Sequence, residues 1–436
     1  MKPTILKTFS ALLILSVMAL SSCKKDKCVQ TVTYKKYVPI YMSYADMRDS
    51  VKSGPAQPLK NPGKIYIKGN YIFVNEQNAG IHIIDNSNPS SPQNIAFINI
   101  PGNMDLAATG NTLYADCYVD LLCIDISNPA SIKVMNTVQN ALPYPTYTNG
   151  YNADPTLGVV KEWQQKTVTE QVNTNCNTNQ QVYPVMYNTY NTTGGGIMTA
   201  GANTSGTSVN INQNVPGIGG STARFTIASN TLYIVDNSTL HVYNITNNIS
   251  PQKAADQNLG WWIQTIFPYK NHLFIGSSDG FYIYDITNPL SPSQVSVYSH
   301  ITACDPVVVD DQYAYFTLSN DAPCHMGFNQ LEVVDITDPA NPTLKVTMPM
   351  TDPKGLGIDS KTLFICDTNN GLVVYEASGD VTQIASKQIA HFSNINAFDV
   401  IPYNKHLVMI GSDGLYQYDY SNVQNITLLS KMAVQN

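Results

Sequence analysis

Charge is scarce along this chain, and so are long apolar runs. Charged side chains make up 13% of the 436 residues, and the formal net charge is −7. Beyond Lys24-Lys25-Asp26-Lys27 there is no basic run or stripe. The electrostatic footprint that holds a phosphate backbone is missing, so no nucleic-acid partner is expected. After Leu20 no segment reaches the roughly 20 consecutive apolar residues of a spanning helix. Signatures of catalysis are equally sparse. There is no Gly-x-Ser-x-Gly elbow opening a helix, no His-Glu-x-x-His, no Cys-x-x-Cys and no dinucleotide fingerprint. Gly194-Gly195-Gly196 lacks the Lys-Ser/Thr of a phosphate loop. The seven His are scattered, with His82, His241, His272 and His406 at strand positions. No catalytic residue, metal ligand set or cofactor is therefore expected.

Strand and turn formers are abundant instead. Tyr occurs 27 times, Gly 26 and Pro 25, with frequent Asn, a mixture that indicates strands broken by tight turns. Two motifs recur in fixed order. One is an apolar run ending in Asp before an Asn-Pro or Asp-Pro turn, as in Phe281-Tyr282-Ile283-Tyr284-Asp285-Ile286-Thr287-Asn288-Pro289. It stands also at residues 81–89, 121–129 and 331–339, with weaker copies at 240–247, 372–376 and 415–419. The other precedes each copy, as in Gly69-Asn70-Tyr71-Ile72-Phe73-Val74, and begins again at Gly110, Ser229, Lys270, Asp311, Ser360 and Asn404.

The spacing of the second motif defines the architecture. Ile72, Leu113, Leu232, Leu273, Ala314, Leu363 and Leu407 are separated by 41, 119, 41, 41, 49 and 44 residues. A period near 41 is that of propeller blades, and the long step is one period plus a 78-residue insertion. The expected fold is all-β, a β-propeller of seven four-stranded blades. Asp85, Asp125, Asp285 and Asp335 are expected to close Asx-turns, accepting backbone N–H groups where the third strand ends.

The repeated phrase [Leu/Phe]-x-[Val/Ile]-x-Asp-Ile-[Ser/Thr]-[Asn/Asp]-Pro resembles the LVIVD-repeat proteins, propellers common in Bacteroidetes. Asn61-Pro62-Gly63-Lys64-Ile65-Tyr66, followed by Gly80-Ile81-His82-Ile83-Ile84-Asp85-Asn86, is similar to lipoproteins of that group. The resemblance implies the fold and brings no reaction with it.

The first residues suggest an address. Met1-Lys2 and Lys7 precede an apolar run from Phe9 to Leu20, and Leu20-Ser21-Ser22-Cys23 resembles a lipobox, with Cys23 as the acylated residue. The expectation is a signal peptide over 1–22, then a tether and N-terminal arm over 23–62. Blades 1–2 follow over 63–142, an Asn/Thr/Gly-rich insertion over 143–220, and blades 3–7 over 221–436. The anchor implies the outer membrane, on its periplasmic or cell-surface side. Within the arm a short helix is expected from Tyr44, and a strand pairing with the last blade near residues 426–434. The insertion is expected to hold a strand pair across 159–172, on the face where the innermost strands begin.

Near the starts of the innermost strands stand Asp105, Asp305 and Asp399, with Lys64, Arg224, Thr265 and Gly355 at equivalent places. Such residues would ring the axial channel, where propellers bind ligands. The alternative is that they satisfy backbone N–H groups near the axis. Cys304–Cys324 is a candidate disulfide, with Cys117–Cys123 a weaker one about a hairpin tip at Asp120. Trp261 and Trp262 are expected to be buried between blades 3 and 4, the alternative being a sugar platform. The functional expectation is a non-catalytic binding or scaffold module for a protein or glycan. The alternative is an envelope hydrolase or lyase with its site in the axial funnel.

Overall fold

A computed structural model describes residues 27–129, 131–145, 147, 151–175, 216–278, 280–299, 306–320, 328–368 and 370–435. Cys23, Cys304, Asp305 and Cys324 lie outside these residues. The chain divides into two compact units. In the first, strands Lys27–Met42 and Val159–Asn175 form a two-stranded sheet. Gln165 Nε2 donates to Tyr37 Oη at 2.9 Å, and the rings of Tyr147 and Tyr151 lie 5.7 and 5.6 Å from that of Trp163. The arm strand therefore does not pair with the last blade, and 159–175 is one strand, not a hairpin. Each of the two long segments finds its hydrogen-bond partner in the other.

The second unit is the propeller. Seven blades, each with four consecutive antiparallel strands, span residues 62–99, 106–138, 225–258, 263–299, 307–349, 353–392 and 399–433. In every blade the first strand lies innermost and the fourth outermost. Blade 1 gains a strand on each edge, Ile218–Gly219 inside and Lys52–Gly54 outside. The helix Tyr44–Asp49 buries Met47 and is capped by Ser43, whose hydroxyl accepts the Asp46 N–H at 3.1 Å. Among the described residues no helix is long and apolar enough to cross a membrane.

The two sequence motifs recur together because they are bonded together. The residue after each strand-ending acid or amide donates its N–H to the carbonyl of the turn between strands 1 and 2. This bond occurs in all seven blades: Asn86 to Asn70, Ile126 to Asn111, Ile245 to Asn230, Ile286 to Asn271, Ile336 to Gln312, Ala377 to Lys361 and Tyr420 to Lys405. Asp85, Asp125, Asp285 and Asp335 accept the N–H of Ser87, Ser127, Thr287 and Thr337 at 2.6–3.0 Å. Asn244 and Asp419 do the same for Thr246 and Ser421. These are the Asx-turns the sequence implies. In each blade the pairing of strands 3 and 4 also slips by one residue just before this acid, a bulge that strengthens strand twist.

Blades are joined by apolar packing and by side chains reaching carbonyls of the next turn. Tyr233 Oη donates to Pro289 O at 2.8 Å, and Ser296 Oγ to Pro339 O at 2.6 Å. The ring closes in the same way, with Ser430 Oγ on Pro89 O and Gln417 Nε2 on Asn86 Oδ1, both at 2.7 Å. Leu59 fills the closing seam among Ile65, Ile67 and Ile72 of blade 1 and Ile401, Ile410 and Leu415 of blade 7. Closure is thus by packing and these hydrogen bonds, with Gln435 N also donating to Leu59 O at 2.7 Å, and without a strand shared between blades 1 and 7.

Candidate functional site

The innermost strands position the axial residues, and the return leg of the insertion runs among them. Pro216 bridges to Thr109 at the exit end of the first strand of blade 2, and Gly217 N donates to Ala108 O at 2.8 Å. Ile218 and Gly219 then pair antiparallel with Ile67 and Tyr66 of blade 1. The insertion leaves after the fourth strand of blade 2, where Leu142 N donates to Val119 O at 3.0 Å. Glycine is required at two points on this path. A Cβ on Gly217 would fall 2.3 Å from the Tyr66 ring, and one on Gly220 would fall 2.1 Å from Asp399 Oδ2.

The segment ends in a polar knot. Asp399, fully buried in blade 7, accepts Ser221 N and Oγ on one oxygen at 3.0 and 2.9 Å. Its other oxygen accepts Thr222 N and Oγ1 at 3.3 and 2.8 Å. Ser221 Oγ in turn accepts the Leu356 N–H of blade 6 at 2.6 Å, and Ile266 N of blade 4 donates to Ala223 O at 3.1 Å. Residues 216–224 therefore bond to the innermost region of blades 1, 2, 4, 6 and 7.

Asp105 forms the second centre. Its carboxylate accepts Leu106 N at 2.7 Å, Phe225 N at 3.1 Å, the Arg224 N–H, and the Lys64 ammonium at 2.9 Å. Lys64 and Asp105 are both almost fully buried. Burial pulls the Lys64 amine below its usual range, while Asp105 acts in the opposite sense. Beneath this pair Asp116 accepts the N–H groups of Met104 and Asp105 and the Asn103 amide, each at 2.8–2.9 Å. Burial pushes the Asp116 carboxyl up to about 6, against those donors. Burial has the same effect on Asp399, again to about 6.

Lys64, Asp105, Arg224 and Asp399 thus stand at or beside the starts of innermost strands and bond to the protein's own groups. Asp105 brings Lys64 and the Arg224 backbone together, while the Arg224 guanidinium turns to Asn237 Oδ1 at 3.1 Å. Asp399 works apart from them on Ser221 and Thr222. Ser221, Thr222, Asn103 and Asp116 carry no repeat signal and were not singled out by sequence. The glycines at 217, 219 and 220 are the signal that was available, since clustered glycine marks close backbone approach.

Other candidates resolve as follows. The spacing Gly-x-Ser-x-Gly does occur once, at Gly276-Ser277-Ser278-Asp279-Gly280, but it joins two strands of blade 4. There Ser277 Oγ donates to Gly280 O at 2.8 Å, a turn and not a strand-to-helix elbow. The hairpin register sets Cys117 opposite Asp120 and Cys123 opposite Tyr114, so these two cysteines do not face each other. Both are free and buried, and the expected 117–123 bridge is absent. His82 is buried against Glu76 at 2.9 Å, and His241 lies between Asp236 and Asp256 at 2.9 and 2.7 Å. Among the described residues no cluster of His, Cys, Asp and Glu is arranged to hold a metal.

Trp261 and Trp262 overturn their expectation. They are not buried between blades: they are 81% and 48% exposed. Gly260, at φ +122°, and Trp262, at φ 57°, both have positive φ just before the first strand of blade 4 begins.

The LVIVD repeat family model matches residues 62–97, 102–140, 264–300 and 303–349, in blades 1, 2, 4 and 5. LVIVD repeats thus occur in four blades of a seven-bladed β-propeller. No curated protein matches it. Among solved structures it is similar to a functionally unknown protein from Desulfotomaculum acetoxidans, at 9% identity and TM-score 0.50, covering 84% of this chain and 95% of that one. The computationally designed Ika8 protein matches at 8% identity and TM-score 0.48, covering 87% and 90%. BamB from Moraxella catarrhalis matches at 8% identity and TM-score 0.44, covering 84% and 98%. At these identities the likeness is one of fold.

Proposed function

We propose that this protein is a lipid-anchored envelope module that binds a protein or glycan through a propeller face and its insertion. The observation that carries the non-catalytic reading is the filled axis. A hydrolase or lyase working in the axial funnel would need space where Gly220, Ser221, Thr222 and Ala223 lie buried. Fold likeness alone supplies no activity, because propellers host many unrelated functions. The anchor rests on Leu20-Ser21-Ser22-Cys23 after a basic start and an apolar core, and the location it implies is the outer membrane. Metabolic labelling with an alkyne fatty acid tests this. Wild type takes up label and sediments with membranes, whereas Cys23→Ser loses both; a labelled or membrane-bound Cys23→Ser variant overturns the anchor. Pull-downs from envelope extracts, with and without residues 176–215, test the binding role. A partner lost with that segment supports it, and stoichiometric hydrolase or lyase activity overturns it.

A further inference from the structure

The seam between blades 3 and 4 carries a site of defined chemistry. Tryptophan is rare in this chain, with three copies, and two of them stand side by side on one exposed turn. A turn with no task would be expected to hide these rings or to lack them, because exposing indole forgoes a large burial gain. The turn is also held firmly. Gly260 N donates to Asn258 Oδ1 at 3.0 Å, Ile263 N to Asn237 O at 3.0 Å, and Ser278 N to Trp262 O at 3.1 Å. Its own Asn258 and two other segments thus hold Trp262 in the left-handed region, which a bulky side chain adopts only at a cost met by its surroundings.

We infer that Trp261 and Trp262 form a binding platform for a neutral saccharide, an assignment that rests on the binding-module reading above. Two observations select this ligand. The first is area. Full indole side chains offer up to about 250 Å² each, so these two present about 300 Å². That is well below the roughly 800 Å² per partner of a stable protein interface, and it suits one or two sugar rings. The second is the collar. The turn itself, Asn258-Leu259-Gly260-Trp261-Trp262-Ile263-Gln264, bears no charge. Asn237, Ser238, Ser278 and Tyr282 adjoin it: Ser238 O accepts Leu259 N at 2.7 Å, and Tyr282 Oη lies 2.9 Å from where a Gly260 Cβ would be, while the nearest charges are engaged within the fold, Arg224 on Asn237 Oδ1 at 3.1 Å and Asp236 on Ser238 N at 2.7 Å. Amides and hydroxyls both donate and accept, as sugar hydroxyls do, while the aromatic faces take the apolar side of a pyranose.

Intrinsic tryptophan emission of the full chain reads the site directly. The probes are linear hexasaccharides of glucose, xylose and N-acetylglucosamine. A saturable emission change with one of them is expected, in the millimolar range or tighter. Trp261→Ala should weaken it about tenfold or more at an unchanged melting temperature, and Trp262→Phe should weaken it less. Absence of any change up to about 10 mM of every probe, or equal binding by Trp261→Ala, overturns the platform. An envelope partner captured equally by wild type and Trp261→Ala would overturn the saccharide assignment while leaving the binding-module reading intact.

Discussion

Lys64, Asp105, Lys354 and Asp399 are buried charges at or beside innermost strands. Asp105 satisfies three backbone N–H groups and the Lys64 ammonium at once. Removing the carboxylate strands a buried cation and its amide neighbours, and such a loss costs about 3–5 kcal/mol. Asp105→Ala should therefore lower the urea midpoint severely, whereas Lys64→Met, which removes the charge and keeps the volume, should lower it much less. Asp116 and Asp399 add a pH dependence. Both titrate near 6 in the folded chain, against roughly 4 unfolded, because burial disfavours their ionised forms. Their protonated forms stabilise the fold fully below about pH 4, and that contribution is lost as pH rises through about 6. Each shift is on the order of 3 kcal/mol. Unfolding free energy should consequently rise as pH is lowered from about 7.5 to about 5.5, with a shallower slope in Asp116→Asn. A flat profile in wild type would remove this account.

Among the elements, residues 216–224 have the largest reach. They form the inner edge strand of blade 1, hold Asp399 of blade 7 and deliver the chain to blade 3. Gly220 is where this passage is tightest. A methyl group there meets a carboxylate already held by four donors of Ser221 and Thr222, and overpacking of this kind costs about 1–3 kcal/mol. Gly220→Ala should lower the melting temperature by several degrees, and Gly220→Val by more. The same substitution at Gly54, where a Cβ meets nothing within 4 Å, is the control and should be nearly silent. Equal effects at the two sites would show that the axial packing carries no strain.

Over the whole molecule, the ring must close around a segment of its own chain. Blades 1 and 2 come before residues 216–224 and blades 3 to 7 after them, so these last five curl back until blade 7 meets blade 1. Contacts between first and last blades are far apart in sequence, such as Ser430 with Pro89, and long loops make such contacts slow to form. Leu59 is the apolar plug of that seam. Leu59→Ala should cost about 2–4 kcal/mol, and the loss should appear in a single cooperative transition of all blades. A separate early transition confined to one blade would argue that closure is dispensable.

What the sequence by itself determined is the blade. Its period, its two motifs, its Asx-turns and its buried third strands follow from contacts within about forty residues, which a repeat rewrites at each turn. The place of Asp105 and Asp399 at innermost-strand starts was legible because the repeat fixes where those strands begin. Their partners were not, since Ser221 and Thr222 lie 178 and 177 residues from Asp399 and occur once. The exposure of Trp261 and Trp262 was likewise hidden. Aromatic content argues for burial, and only the fold leaves these two rings in solvent. Tertiary structure decided the bonding of residues 216–224 to innermost strands, the pairing of the arm with the insertion and the exposure of Trp261 and Trp262. In each case the physical reason is the same: these contacts join segments that share no period, so no local pattern records them.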